Sequence, residues 1–203
     1  YKYHSEQDSL GKYMRTVEIS TDLRYIVVFM VNAFIRPTDL KFMKHSHIDI
    51  VKKGQYSYLR LRIPPTKNHS DPITTMPQAV RTYQTLREQH IREFGSINDN
   101  DYVFLPQYQR RDYAIKQLQR QFEFILEHTQ LRSGNAGEPR SLYSLRHTCI
   151  MYRLLYGSKI DSLTLARNAR TSVEMIERFY ARPLHGEMNI DLIQGRRGRF
   201  SRD

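Results

Sequence analysis

Apolar side chains recur at helical spacing from residue 23 onward, at Leu23, Ile26, Val27, Met30 and Phe34, behind the N-cap oxygens of Thr21 and Asp22. Pro37 ends that helix at Arg36 and suits the first turn of a second helix over residues 37–44. The period then changes. Residues 48–63 read as a strand, a turn at Lys53-Gly54-Gln55 and a second strand, and residues 73–76 as a short third strand. Helical spacing returns at residues 78–94, with Val80, Leu86 and Ile91 facing inward, and at residues 111–128, with Ile115, Leu118, Phe122 and Ile125. Ser141 caps a further helix that stops at Gly157 and carries Leu145, Cys149 and Tyr152 as its inward stripe. Thr171 and Glu174 form a capping-box pattern that opens a last helix, with Tyr180 near its end. The chain is therefore expected to be mostly α with a small antiparallel β-sheet, an α+β fold.

Composition narrows the class. Hydrophobic residues make up 39% of the 203, enough for a real core, which argues against wholesale disorder. Lysine and arginine total 32 against 21 acidic residues, a formal charge of +11. That excess favours a polyanionic partner, because each phosphate neutralised by a cation releases a condensed counterion. RNA or a merely soluble surface would satisfy the same tally. The single cysteine, Cys149, excludes an internal disulfide and a cysteine-rich zinc site and is compatible with a reducing compartment. The longest apolar run, residues 25–35, is interrupted by Asn32 and falls short of the roughly 18 residues of a membrane span. No internal repeat is present, and the chain opens on Tyr1, as a fragment excised from a longer protein would.

Four separated polar residues, Arg36, Lys67, Arg146 and Tyr180, stand in contexts suited to gripping or attacking a phosphodiester. Arg36 lies at a helix–helix corner, and Lys67 on the turn-rich stretch 64–72 beside the sheet. Tyr143, Arg146 and His147, at i, i+3 and i+4, project from one helix face, and Tyr180 ends the late helix. The flanking words "NAFIRPTDLKFMKHSHID", "RIPPTKNHSDPITTMP", "SLYSLRHTCIMYRLL" and "LARNARTSVEMIERFYARP" occur in the order of one family. Together they resemble the catalytic domain of tyrosine recombinases, the phage-integrase family.

That resemblance implies an integrase catalytic-domain fold over residues 1–184, with residues 185–203 a basic tail that is flexible or docks on a neighbouring protomer. It also implies roles. Tyr180 is the nucleophile that forms a 3′-phosphotyrosyl bond, Arg36 and Arg146 clamp the phosphate, and Lys67 is the general acid. Asp39 matches the acidic residue that buttresses the first arginine. His147 assists, as do Tyr143 and Thr171, which stand where the family carries a histidine and a histidine or tryptophan. Arg36, Lys67 and Arg146 would also make the DNA contacts. No cofactor and no metal is needed by this scheme. The expected partners are double-stranded DNA and other protomers, a tetramer in the synaptic complex, with no membrane and a cytoplasmic, bacterial or phage-encoded setting. The family's core-binding domain is not recognisable in this stretch.

Blander readings stand beside these. Arg146 suits a structural ion pair, Tyr180 suits helix packing, and Thr171 suits a plain N-cap. His45 and His47 fit one side of a strand, and surface histidines explain them better than a metal site. Three other functions share the features: a DNA-binding regulator with the same fold and no catalysis, a type IB topoisomerase, and a basic RNA-binding module.

Overall fold

The computed structural model describes residues 17–64, 71–134, 137–157 and 160–180. Its axis is α1, Thr21–Ala33, whose Ile26, Phe29, Met30 and Ala33 are fully buried. Each of the three larger side chains contributes about 1.5–3 kcal/mol by leaving water. Around it pack α3, Pro77–Phe94, α4, Arg111–His128, and α5, Leu142–Tyr156. The buried Asp22 carboxylate ties these layers. It accepts from the Leu105 N–H at 2.7 Å and meets His90 Nε2 at 3.3 Å.

Phe34 caps α1 with φ at +57°, turning the chain into Arg36 and then α2, Pro37–Phe42. The second helix is shorter than its sequence predicts. Lys44 bridges to Tyr102, and the His45 N–H donates to Asp101 O at 3.1 Å, so the backbone after Phe42 is drawn onto the 98–102 loop. His45 and His47 lie on a 3₁₀ turn, not a strand. His45 is buried with Nδ1 2.9 Å from the Tyr83 hydroxyl, and His47 Nδ1 accepts from the Lys44 N–H.

The sheet is antiparallel in the order β1-β2-β3: β1 Ile48–Lys53, β2 Tyr56–Leu61 and β3 Ile73–Thr74. Gly54 opens the two-residue turn at φ +58°, which a glycine adopts without Cβ strain. β3 is shorter than read because Thr75 leaves the strand and pairs with Leu59 through its side chain as well as its N–H. β2 likewise stops at Leu61, since the Ile63 carbonyl is taken by a side chain described below.

The helical expectations hold closely for α3, α4 and α5. Two inward assignments need correction. Ile91 is 45% exposed, because α3 turns His90 inward to meet Asp22, and Tyr152 is 55% exposed, because α5 buries Leu142, Arg146, Cys149 and Ile150. Sequence reading also missed α6, Ser162–Asn168, capped by Asp161, whose Oδ1 accepts from the Thr164 N–H at 2.8 Å. The last helix, α7, spans Val173–Tyr180, and its capping side chain is Ser172, whose Oγ accepts from the Met175 N–H. Thr171 is thus not the N-cap. Its N–H instead closes the end of α6 on Ala166 O. The tail, residues 185–203, lies outside the described residues.

Candidate active site

Arg36 owes its place to two local devices. Pro37 forces it to extended backbone, φ −86° and ψ 156°, and Asp39 Oδ2 accepts its N–H at 2.7 Å. Asp39 is 1% exposed, and its second oxygen has no hydrogen-bond partner among the described residues. The Arg36 side chain then reaches across the fold, where Nη2 donates to the Arg170 carbonyl.

Arg146 approaches from α5. It is 2% exposed, and its Nη1 and Nη2 donate to the carbonyls of Phe34 and Ala169. Those carbonyls end α1 and α6, so one guanidinium pins the arginine corner to the segment leading into α7. Its Nε has no partner among the described residues. Burial, and then repulsion from Arg36, lower its pKa. An arginine starting so high stays a cation.

His147 and Tyr143 stand one turn apart on the same helix face, with ring centroids 5.1 Å apart. On the other side of His147 lies Tyr180, 5.0 Å between centroids with ring planes inclined by 34°. His147 is pushed below the ordinary histidine value by burial and by the adjacent Arg146 charge, so it is neutral at pH 7. Tyr180 is 5% exposed, and burial pushes its phenol up to about 12 while Arg146 and Arg36 pull it back. A protonated phenol thus lies against a neutral imidazole. Beside this cluster opens a groove of about 730 Å³, lined by Arg36, Thr38, Lys41, Phe42 and Tyr143 among others. Arg36 and Tyr143 are the cluster members that line it.

The structure therefore gathers Arg36, Asp39, Arg146, His147, Tyr143 and Tyr180 into one cluster. Thr171 adjoins it through its backbone at the α6–α7 junction. Lys67 lies outside the described residues, although Pro64 and Asp71 on either side of its segment are described. Among the described residues no group of three or more His, Cys, Asp or Glu is disposed to hold a metal, and no helix is long and apolar enough to cross a membrane.

One participant escaped the sequence reading. Arg170 is 2% exposed and has φ +50°, a left-handed conformation that costs a non-glycine residue about 1 kcal/mol or more. Its guanidinium donates from Nε to Asp71 O at 2.7 Å and from both Nη atoms to Ile63 O at 3.2 Å. Charge-assisted bonds of this kind are worth about 1.5–3 kcal/mol each, which offsets the strain. The readable signal is an arginine in "NARTS", at a helix end that ordinarily takes glycine. Arg36, Arg146 and Arg170 thus converge, with the Asp39 carboxylate packed among them and Asp71 acting on Arg170. Burial lowers the Arg170 pKa first, and Asp39 opposes that. An excess of fixed positive charge in a dry setting is what an anion would neutralise.

The solved structure of XerA recombinase superposes on 92% of this chain with a TM-score of 0.53, at 15% sequence identity. The fold is integrase-like. The chain spans 66% of the length of that recombinase, and at this identity the likeness speaks to fold alone. No family model and no curated relative matches the sequence.

Proposed function

We propose that this chain is the catalytic portion of a tyrosine-type, site-specific DNA recombinase. One observation carries the reading: Arg36, Arg146, His147 and Tyr180, scattered over the sequence, meet within one integrase-like fold.

In this reading the Tyr180 oxygen attacks the scissile phosphorus. The new bond is P–Oη, the broken bond is P–O5′, and the products are a 3′-phosphotyrosine and a free 5′-hydroxyl. The phenol proton passes to neutral His147, and Lys67 protonates the leaving 5′-oxygen. Arg36 and Arg146 oppose the charge that accumulates on the non-bridging oxygens, each worth a few kcal/mol of barrier. Asp39 holds the Arg36 backbone. Tyr143 orders His147 from its open side, and Thr171 supplies a hydroxyl donor near the α6–α7 junction. A 5′-hydroxyl from a second strand reverses the chemistry and reseals, with the bond energy kept in the phosphotyrosyl ester. The partners are double-stranded DNA and further copies of the protein, four in the strand-exchanging complex. The chemistry draws on protein groups throughout.

A regulator with the same fold and no cleavage is the competing reading, favoured by Tyr143 where the family has histidine. A nicked suicide duplex, which loses its short 5′-hydroxyl fragment after cleavage, separates the two. Covalent adduct should accumulate with the full chain and vanish in Tyr180→Phe. DNA binding without adduct supports the regulator, and supercoil relaxation without recombinant product supports a topoisomerase.

A further inference from the structure

Arg170 occupies the left-handed position of a Schellman cap. Its N–H donates to Arg167 O at 3.0 Å, and the next N–H, of Thr171, donates to Ala166 O at 2.9 Å. Glycine is the residue this position favours, and a buried cation there is a second cost. A strained and buried arginine is retained where it does something glycine cannot. Its guanidinium holds the carbonyls of Ile63 and Asp71, one near each end of the β2–β3 connection. Two positions earlier, Asn168 pairs with the open edge of β3 as a strand would. Its Nδ2 donates to Thr74 O at 3.0 Å, and its Oδ1 accepts the Thr74 N–H at 2.8 Å. The Arg170 carbonyl meanwhile receives Arg36 Nη2.

We propose that Arg170 is a positioning residue: it fastens both ends of the β2–β3 connection, the stretch whose sequence contains Lys67, to the segment that enters α7. Side chain and carbonyl act on different partners, the first on the connection and the second on Arg36. The guanidinium itself faces two backbone carbonyls. The catalytic consequence rests on the reading of Lys67 as general acid. The fastening itself does not.

The test uses the full chain with Arg170→Gly, Arg170→Lys and Lys67→Ala. The DNA is a nicked duplex selected from a random-sequence pool by covalent capture on the unaltered protein. Glycine is at ease at φ +50°, so Arg170→Gly removes the guanidinium without straining the cap. Lysine keeps a charge and cannot span both carbonyls, and it serves if the glycine variant does not fold. Amide hydrogen exchange over residues 71–74 should quicken at least tenfold in Arg170→Gly, with α1 and α3 unchanged. Adduct formation should fall at least tenfold on ordinary DNA. It should recover to within about threefold when sulfur replaces the 5′-bridging oxygen, because a thiolate leaves without a proton. Unchanged exchange overturns the proposal, as does an unchanged rate, or a rate that stays low on the sulfur substrate while Lys67→Ala is rescued. If sulfur does not rescue Lys67→Ala, or no DNA is captured at all, the general-acid or recombinase reading falls, and hydrogen exchange alone decides whether Arg170 fastens the connection.

Discussion

Replacing Arg146 with lysine separates the structural work of that residue from its work on phosphate. The guanidinium donates to two carbonyls at once, Phe34 O at the end of α1 and Ala169 O at the end of α6. A lysine ammonium preserves the charge and reaches one of them at best. One charge-assisted bond is lost and one buried carbonyl is left short, a cost of about 1.5–3 kcal/mol. The expectation is therefore about 2 kcal/mol. For a chain of this size that is a fall in Tm of about 4–8 °C. Catalysis should suffer more. A planar fork aimed at the non-bridging oxygens becomes a single point charge, and losing one such donor costs about 100–1,000-fold in rate. The assay pairs a thermal melt with single-turnover adduct formation on a suicide duplex, run at least 15 °C below the variant's own Tm. A rate within threefold of the unaltered protein would refute the role of Arg146 in the transition state. A melt unchanged within 1 °C would refute its role as a bridge between the two carbonyls.

Other predictions follow from the titrating groups. If neutral His147 takes the phenol proton, adduct formation should rise with pH along a limb whose midpoint lies below the ordinary histidine value of about 6.5, since burial and Arg146 disfavour its cation. His147→Gln should abolish that limb in a pH–rate profile, and a midpoint above 6.5 would contradict the assignment. His45, lowered to about 4 by burial and then by Arg87 and His90, binds its proton more readily unfolded than folded. Its contribution is therefore complete above pH 6.5 and is lost as pH falls toward 4, by about 2 kcal/mol once solvent screening is allowed for. Denaturant melts across that range should differ between the unaltered chain and His45→Gln by that amount, and parallel curves would count against it.

Much of this fold could be read from the residues because its long helices are amphipathic and capped. The stripes of α1, α3, α4 and α5, Ser141 and Gly157 are all local signals. The turn at Gly54 is another. The inward errors at Ile91 and Tyr152 have a common cause: in each case a polar residue, His90 or Arg146, took the buried face because a partner elsewhere in the fold satisfied it. α6 escaped because seven residues hold too few turns for a period to emerge. Thr171 and Ser172 are adjacent hydroxyls, and only the backbone path decides which of them caps α7. The cluster of Arg36, Arg146, His147 and Tyr180 was legible through its flanking words. Arg170 was not, because its partners Asp71 and Ile63 lie 99 and 107 residues away and are backbone carbonyls, which leave no mark in side-chain pattern.

The most direct measurement is to trap the protein on its nicked DNA, digest the adduct and find by mass spectrometry which side chain carries the nucleotide. A 3′-phosphoryl nucleotide esterified to Tyr180 is the predicted result. A nucleotide on Tyr143, on another residue or on none would contradict the central claim.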